Sequence, residues 1–311
     1  MVGSPALQRG SCVTIRARAK VNLGLEVLGR RADGYHELRS LLWAIELADR
    51  VALEAPAEGI AVECDAPGVP ANSDNLAWRA ADLVQRETGV DGGVRIRIAK
   101  AIPVAAGLGG GSADAAAVLV GLERLWKVRL SGARRHALAT ALGMDVPFFL
   151  GRGPAVASGR GERLRVIPAA PALPLVVVNP GFPMPTREVY ARLRPRDLSS
   201  GERVRALASA VESGAAAVAA RVFNGLEGVV AGLWPELAEV KAALCQAGAL
   251  AAVMSGSGPT VIGIAPSRTA ALRIGEALAG RRWRTWVTRA VPGPALTIGR
   301  AGARLAAAGR V

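Results

Sequence analysis

The 311-residue chain is about half apolar (51%) and carries 39 Lys and Arg against 25 Asp and Glu, a formal net charge of +14. At roughly 100–200 residues per domain that length suggests two domains, each able to bury a core. No apolar run approaches the ~18 uninterrupted residues needed to cross a bilayer, and the Arg residues are scattered with Lys only at 20, 100, 127 and 241, so neither a membrane protein nor a nucleic-acid partner is expected.

The opening MVGSPALQRGSCV has no apolar stretch behind its Arg, so a secretory signal is not expected and a cytoplasmic location is. Residues 13–28 (VTIRARAKVNLGLEVL) alternate apolar and polar, the pattern of a half-buried strand, which puts Lys20 and Asn22 on one face. A turn over 30–34 follows, and LLWAIEL, RVALEA and IAVEC read as three further strands. Ser73 or Asp74 can cap a helix over about 76–86, and VRIRIAK (94–100) is again a strand. A glycine loop and a largely apolar helix over about 114–126 come next.

After Gly151 the periodicity fades until PLVVVNPG (174–181), a buried strand; helices are expected over about 202–219, 235–247 and 267–279, with strands at 249–254, 260–265 and 283–288. This gives an α+β protein with a first domain over 1–165, a second over 166–290 and a Gly-, Ala- and Arg-rich tail over 291–311 that is expected to be disordered or a frayed helix at 303–308. Cys12, Cys64 and Cys245 are widely spaced with no CxxC pair, so neither a disulfide framework nor a protein metal site is expected.

The chemistry concentrates in PVAAGLGGGSADAAA (103–117), where Gly107, Gly109, Gly110 and Gly111 leave the backbone open to a polyphosphate. The loop opens onto a helix N-terminus, whose unpaired amides and dipole favour an anion, and Ser112 can reach a phosphate oxygen or its metal ion. It is neither a Walker A motif nor a dinucleotide fingerprint. The pattern Pro-x-x-x-Gly-Leu-Gly-Gly-Gly-Ser-Ala resembles the phosphate loop of the GHMP kinase superfamily. Five further blocks are similar to the members of that superfamily that phosphorylate 4-diphosphocytidyl-2-C-methyl-D-erythritol: residues 17–38, 73–81, 142–162, 179–190 and 253–263.

The resemblance implies a fold with a ribosomal protein S5 domain 2-like first half and a ferredoxin-like second half, the site lying between them. It implies ATP and Mg²⁺ as cofactors, a cytidine diphosphate-linked methylerythritol as substrate, and transfer of phosphate to its 2-hydroxyl in the non-mevalonate route to isoprenoid precursors. Asp145 is then the catalytic base and Lys20 the cation beside the transferred phosphoryl. Pro103, Gly107, Leu108, Gly109, Gly110, Gly111, Ser112 and Ala113 hold the nucleotide, and Asn22, Tyr35, His36, Thr186 and Tyr190 hold the substrate, the aromatic residues flanking the cytosine. SGSGP (255–259) resembles a further glycine loop folding over the phosphate site. One departure is Asn224-Gly225-Leu226-Glu227, where the family commonly has Asp at the second position. Rival readings are a homoserine- or mevalonate-type GHMP kinase, which has no use for a base clamp, and a non-catalytic RNA-binding module using the +14 charge.

Overall fold

The computed structural model describes residues 11–55 and 57–299. It opens with a long hairpin: β1 (Ser11–Arg30) runs antiparallel to β2 (His36–Ala55), from Ser11 opposite Ala55 to Arg30 opposite His36. LLWAIEL and RVALEA, read from sequence as two strands, are one: β2 continues through 48–49, where Ala48 and Asp49 pair with Arg18 and Ala17 of β1. Register shifts between Arg18 and Lys20 and between Asn22 and Gly24 bracket the segment that carries Lys20 and Asn22. Such irregularities bend a strand and re-aim its side chains.

The short β3 (Ile60–Cys64) lies parallel to β4 (Val94–Ala99), which pairs with the second half of β2. Between them, α1 (Leu76–Thr88) is capped by Asn75 rather than by Ser73 or Asp74: Asn75 Oδ1 accepts from the Ala77 amide at 2.9 Å, while its Nδ2 donates to Pro70 O at 2.7 Å. The helix after the glycine loop, α2 (Gly110–Leu125), begins four residues earlier than its apolar run suggests. Glycine is a poor helix former, so 110 and 111 read as loop; Gly109 in the left-handed region (φ 71°) turns the chain sharply enough to start the helix there.

Helix α2 packs on β1 and β2 with α3 (Gly132–Leu142) and the one-turn α4 (Val146–Phe149) beside it. Its Ala113, Ala115–Ala117, Leu119 and Leu122 are fully buried in a core shared with Leu53, Ile96, Phe148 and Phe149. In the first half two strands are not evident in the sequence: β5 (Ala155–Gly159), which pairs with Leu38–Leu42 of β2, and β6 (Arg163–Val166), which pairs with β5. Both are short, and β5 is Gly- and Ala-rich, so period alone did not reveal them.

The chain continues through β7 (Leu173–Asn179), α5 (Thr186–Ala191), α6 (Glu202–Ala210), α7 (Ala215–Ala219), the two-residue β8 (Phe223–Asn224), α8 (Glu227–Val230), α9 (Glu236–Gln246), β9 (Ala251–Met254), β10 (Val261–Ile264), α10 (Arg268–Ala277), β11 (Arg284–Ala290) and β12 (Leu296–Ile298). The expected helix over 202–219 is broken by Gly214, held at φ 86° between α6 and α7. Strands run in the order β12-β1-β2-β11-β7-β10-β9, with β3 to β6 and β8 attached at the sides, all within one connected mixed sheet. Part of the stretch read as a tail is ordered structure: β12 pairs with Ile15–Ala17 of β1, and the preceding Val291 accepts from Trp43 Nε1 at 2.8 Å and donates to Ala44 O at 2.8 Å. The frayed helix expected at 303–308 lies outside the described residues. Among the described residues no helix is long and apolar enough to cross a membrane.

Candidate active site

Four segments meet at the bulged middle of β1. The amide of Lys20 donates to Leu108 O at 2.9 Å, so the glycine loop is fastened to the strand at the lysine itself. The Asn22 amide donates to Ser255 Oγ at 3.1 Å, and that hydroxyl donates to Gly107 O at 3.3 Å, which ties the loop 255–259 to the glycine loop. This approach is close: a Cβ on Gly107 (φ 74°) would lie 2.8 Å from the carbonyl oxygens of both Ser255 and Gly258. Asp145 stands at the start of α4, where the turn from α3 brings it to the same spot.

Lys20 is 4% exposed, and its Nζ donates to Asn22 Oδ1 at 2.7 Å and lies 3.4 Å from Asp145 Oδ2. The Asp145 side chain is 40% exposed and so remains open to the cleft. Behind the pair runs a directional chain: Asn22 Nδ2 donates to Ser40 Oγ at 2.8 Å, and Ser40 donates to Gly24 O at 2.7 Å. Because the serine hydroxyl spends its proton on the carbonyl, it accepts from the amide, and the amide oxygen must face the ammonium. Ser40 was not singled out from sequence; an isolated Ser in an apolar strand carries no signal until its partners are known.

The cleft holds about 1110 Å³ and is lined by Lys20, Asn22, Tyr35, His36, Gly107, Gly109, Ser112, Asp145, Thr186 and Tyr190, all named from sequence. In the same cleft the His36 and Tyr190 rings stand 5.3 Å apart with a 40° tilt, contributed by β2 and α5. Burial, then the neighbouring Arg30, lowers the His36 pKa, so its imidazole is neutral near pH 7 with one donor and one acceptor. Burial in the wall, with the Asp145 charge adding, raises the Tyr190 hydroxyl well above its ordinary value, keeping it a phenol. Tyr35 is 53% exposed with the Arg160 guanidinium 5.1 Å above its ring, and Thr186 shares a 2.8 Å hydrogen bond with Ser257 of the second glycine loop.

Leu108 and Ala113 differ from the rest of the glycine loop: their side chains are buried (1% and 0% exposed) in the core, so only their backbone can serve a ligand. Pro103, Gly110, Gly111, Leu108 and Ala113 are not among the residues lining the cleft. Arg30, Arg160 and Arg187 do line it and were not named beforehand; with Lys20 they give four cations against Asp33 and Asp145. All three sit inside blocks that carry the resemblance, Arg30 in 17–38, Arg160 in 142–162 and Arg187 in 179–190, which is the signal that could have found them. The Asn224 side chain holds the second loop, Nδ2 donating to Met254 O (2.8 Å) and Gly256 O (2.7 Å). Gly225, the departure from the family pattern, donates its amide to Leu25 O at 2.9 Å and does not line the cleft.

Among the described residues no group of three or more His, Cys, Asp or Glu could hold a metal ion. Mg²⁺ that enters with a nucleotide needs less than that, because phosphates and water supply most of its ligands, and the Ser112 hydroxyl, which lines the cleft in the first turn of α2, fits such an ion.

Residues 75–153 match the family model for the GHMP kinase N-terminal domain and residues 204–284 that for the GHMP kinase C-terminal domain. A protein of Pelotomaculum thermopropionicum named 4-diphosphocytidyl-2-C-methyl-D-erythritol kinase is 46% identical over 275 residues, covering 88% of this chain and 94% of the relative. A crystal structure of 4-(cytidine 5'-diphospho)-2C-methyl-D-erythritol kinase superposes with a TM-score of 0.78 at 42% identity, over 89% of this chain and 99% of the other. Homoserine kinase from Cytophaga hutchinsonii shares the fold at 18% identity, with a TM-score of 0.74 over 96% and 100% of the two chains. The chain belongs to the GHMP kinases, in the family of 4-diphosphocytidyl-2-C-methyl-D-erythritol kinases.

Proposed function

We propose that this protein transfers the γ-phosphoryl of ATP to the 2-hydroxyl of 4-diphosphocytidyl-2-C-methyl-D-erythritol, giving ADP and the 2-phosphate, in the non-mevalonate route to isoprenoid precursors. The observation that carries the reading is the Lys20–Asp145 pair at 3.4 Å, lining one cleft with Gly107, Gly109 and Ser112 of the glycine loop and with the His36–Tyr190 rings.

Asp145 accepts the proton of the 2-hydroxyl as that oxygen attacks the γ-phosphorus, and the bond from phosphorus to the bridging oxygen of ADP breaks. Lys20 faces the charge that develops on the transferred group; its burial keeps water from weakening that attraction. Asn22, with its oxygen committed to Lys20 and its NH₂ to Ser40, orients the ammonium. The amides of 107–113 and the first turn of α2 receive the triphosphate; Ser112, with the phosphates and water, would hold a Mg²⁺ that enters with the nucleotide, and that ion would supply charge to offset the phosphates. Tyr190 and Tyr35 flank the cytosine, neutral His36 offers the donor and acceptor that its edge requires, and Thr186 lies beside Tyr190. The domain division at about 165 leaves Lys20 and Asp145 on the first half and Thr186 and Tyr190 on the second.

The test is kcat/KM for the cytidyl polyol beside homoserine and mevalonate. The cytidyl substrate is expected to exceed both by more than tenfold, and preference for either bare alcohol would overturn the assignment. Tight RNA binding that survives Lys20→Ala and Asp145→Ala, without turnover on any alcohol, would favour the binding-module reading instead.

A further inference from the structure

Where the chain leaves α5, a second hollow of about 570 Å³ opens beside the cleft. One wall is the segment after α5 and the other is α8 with the turn that follows it. Ala191 and Leu193 face both cavities; the other lining residues belong to one or the other. Arg192, Arg194 and Arg196 all line the hollow, against the single carboxylate of Asp197. Among the described residues none of these three guanidinium groups is paired with an acid.

The Asp197 carboxylate is engaged with the backbone instead. Its Oδ2 accepts from the Arg194 amide at 2.8 Å, while the Asp197 amide donates to Arg194 O at 2.9 Å, a reciprocal pair that closes the turn over 194–197. At the start of the segment the Arg192 amide donates to Val189 O (3.2 Å) and the Leu193 amide to Tyr190 O (3.3 Å). The backbone that carries the arginines is therefore fixed before any ligand arrives, which lowers the ordering cost of binding. Three guanidinium groups around one hollow repel each other, and an anion seated among them relieves that repulsion.

The rest of the lining is apolar or bare. Leu193, Val229 and Leu233 contribute aliphatic surface, and Leu233 is left 44% exposed. Gly228, inside α8, and Gly232 just after it also line the hollow. Nothing in the protein requires glycine there: neither backbone is left-handed, and a Cβ at either position would meet no atom within 4 Å. Glycine within a helix is less stable than alanine, so the missing side chain at 228 costs stability and leaves open volume in the hollow. Among the described residues no aromatic side chain lines it, so a nucleoside would find no stacking partner of the kind His36 and Tyr190 offer in the cleft.

We propose that this hollow is a second ligand site, which takes an organic diphosphate carrying a small alkyl group. The arginines receive the phosphate oxygens, and Leu193, Val229 and Leu233 receive the alkyl part. A guanidinium fork grips two oxygens at once, so three forks suit a diphosphate better than a single phosphate. The volume falls within the roughly 300–1,000 Å³ typical of small-molecule sites. Lys20 and Asp145 take no part in this hollow, so its occupation is independent of the phosphoryl-transfer reading.

The experiment titrates isopentyl diphosphate, inorganic diphosphate and ADP in turn into the 311-residue chain in buffer free of divalent metal. Binding is followed by calorimetry and by the methyl resonances of Val229 and Leu233. Isopentyl diphosphate is expected to shift both sets of methyls and to bind Arg192→Ser/Arg194→Ser/Arg196→Ser about tenfold or more weakly, with the melting transition of that variant retained. Inorganic diphosphate should bind more weakly than the alkyl compound, and ADP should leave both sets of methyls unshifted. Unmoved methyls, affinity unchanged in the triple variant, or equal affinity for the inorganic and alkyl diphosphates overturns the assignment. A larger methyl response to ADP overturns it in favour of a nucleotide site. Should the triple variant not fold, Gly228→Leu, which places a side chain in the hollow, is expected to abolish the methyl response, and a retained response overturns the site.

Discussion

Gly109→Ala probes how tightly the glycine loop is fitted against the cleft cation. Gly109 holds φ at +71°, and a Cβ there would lie 2.9 Å from Phe149 Cζ, 3.0 Å from Lys20 Cγ and 3.2 Å from Lys20 Cε. Phe149 is 1% exposed within a close-packed core and has no room to retreat, whereas the lysine stem has several rotatable bonds, so Lys20 yields. The left-handed backbone costs an alanine about 1–2 kcal/mol, seen as a lower denaturation midpoint. Displacing the ammonium from Asp145 by a fraction of an ångström to an ångström is expected to lower kcat about 10- to 100-fold. Steady-state kinetics on Gly109→Ala, Lys20→Met and the double variant separate this effect from general damage. If the substitution acts through Lys20, it lowers kcat less than threefold further in the Lys20→Met background. Equal losses in both backgrounds, or an unchanged kcat in Gly109→Ala alone, would refute the reasoning. Gly111→Ala serves as the control, since the nearest atom to its Cβ is Leu76 Cδ1 at 3.9 Å and its fold stability should be retained.

Ser40→Ala leaves Asn22 Nδ2 buried without an acceptor; unfolding free energy should fall by about 1–3 kcal/mol and kcat should fall more than either KM, and retention of both would mean the amide is oriented by something else. Tyr190→Ala should raise KM for the cytidyl substrate by the loss of about 1–3 kcal/mol of stacking, roughly 5- to 150-fold, with KM for ATP unchanged and Tyr190→Phe near wild type; a common rise in both KM values would argue against a base contact. Burial raises the Asp114 carboxyl to about 7, so the folded chain prefers its protonated form: that stability is fully present below the ordinary carboxylate value near 4 and is lost as pH rises to 7. Relative to Asp114→Asn, which cannot titrate, the wild type should therefore lose about 1.4 kcal/mol per pH unit across that window and then level off, and a difference that does not change between pH 5 and 8 in chemical unfolding would contradict the buried charge.

The parts of this molecule that announce themselves locally were legible in the sequence. Alternation over 13–28 gave β1 and the shared face of Lys20 and Asn22, which the 2.7 Å bond between them bears out. Glycine spacing located the loop, and long apolar faces located α1, α2 and α9. What failed depended on contacts distant in the chain. β5 and β12 exist because the long hairpin offers them edges to pair with, not because VAS or LTI carries a strong pattern. Helix α5, six residues long, has too little sequence to show a period, yet it delivers Tyr190 to His36. Ser40 and the buried ion pairs of Lys100 with Asp49 and Asp114 were invisible for the same reason: each gains meaning from partners 14 to 51 residues away, such as Asn22 to Ser40 (18 apart) and Lys100 to Asp49 (51 apart).

In the proposed reaction phosphoryl transfer depends on the Asp145 carboxylate held 3.4 Å from Lys20. Rapid-quench single-turnover kinetics of Asp145→Asn with saturating ATP and cytidyl polyol, alongside equilibrium binding of each ligand, tests this most directly. The expected result is dissociation constants within a few-fold of wild type and transfer slower by about 10²- to 10⁴-fold, the range for loss of a positioned general base. Transfer within tenfold of the wild-type rate would contradict it.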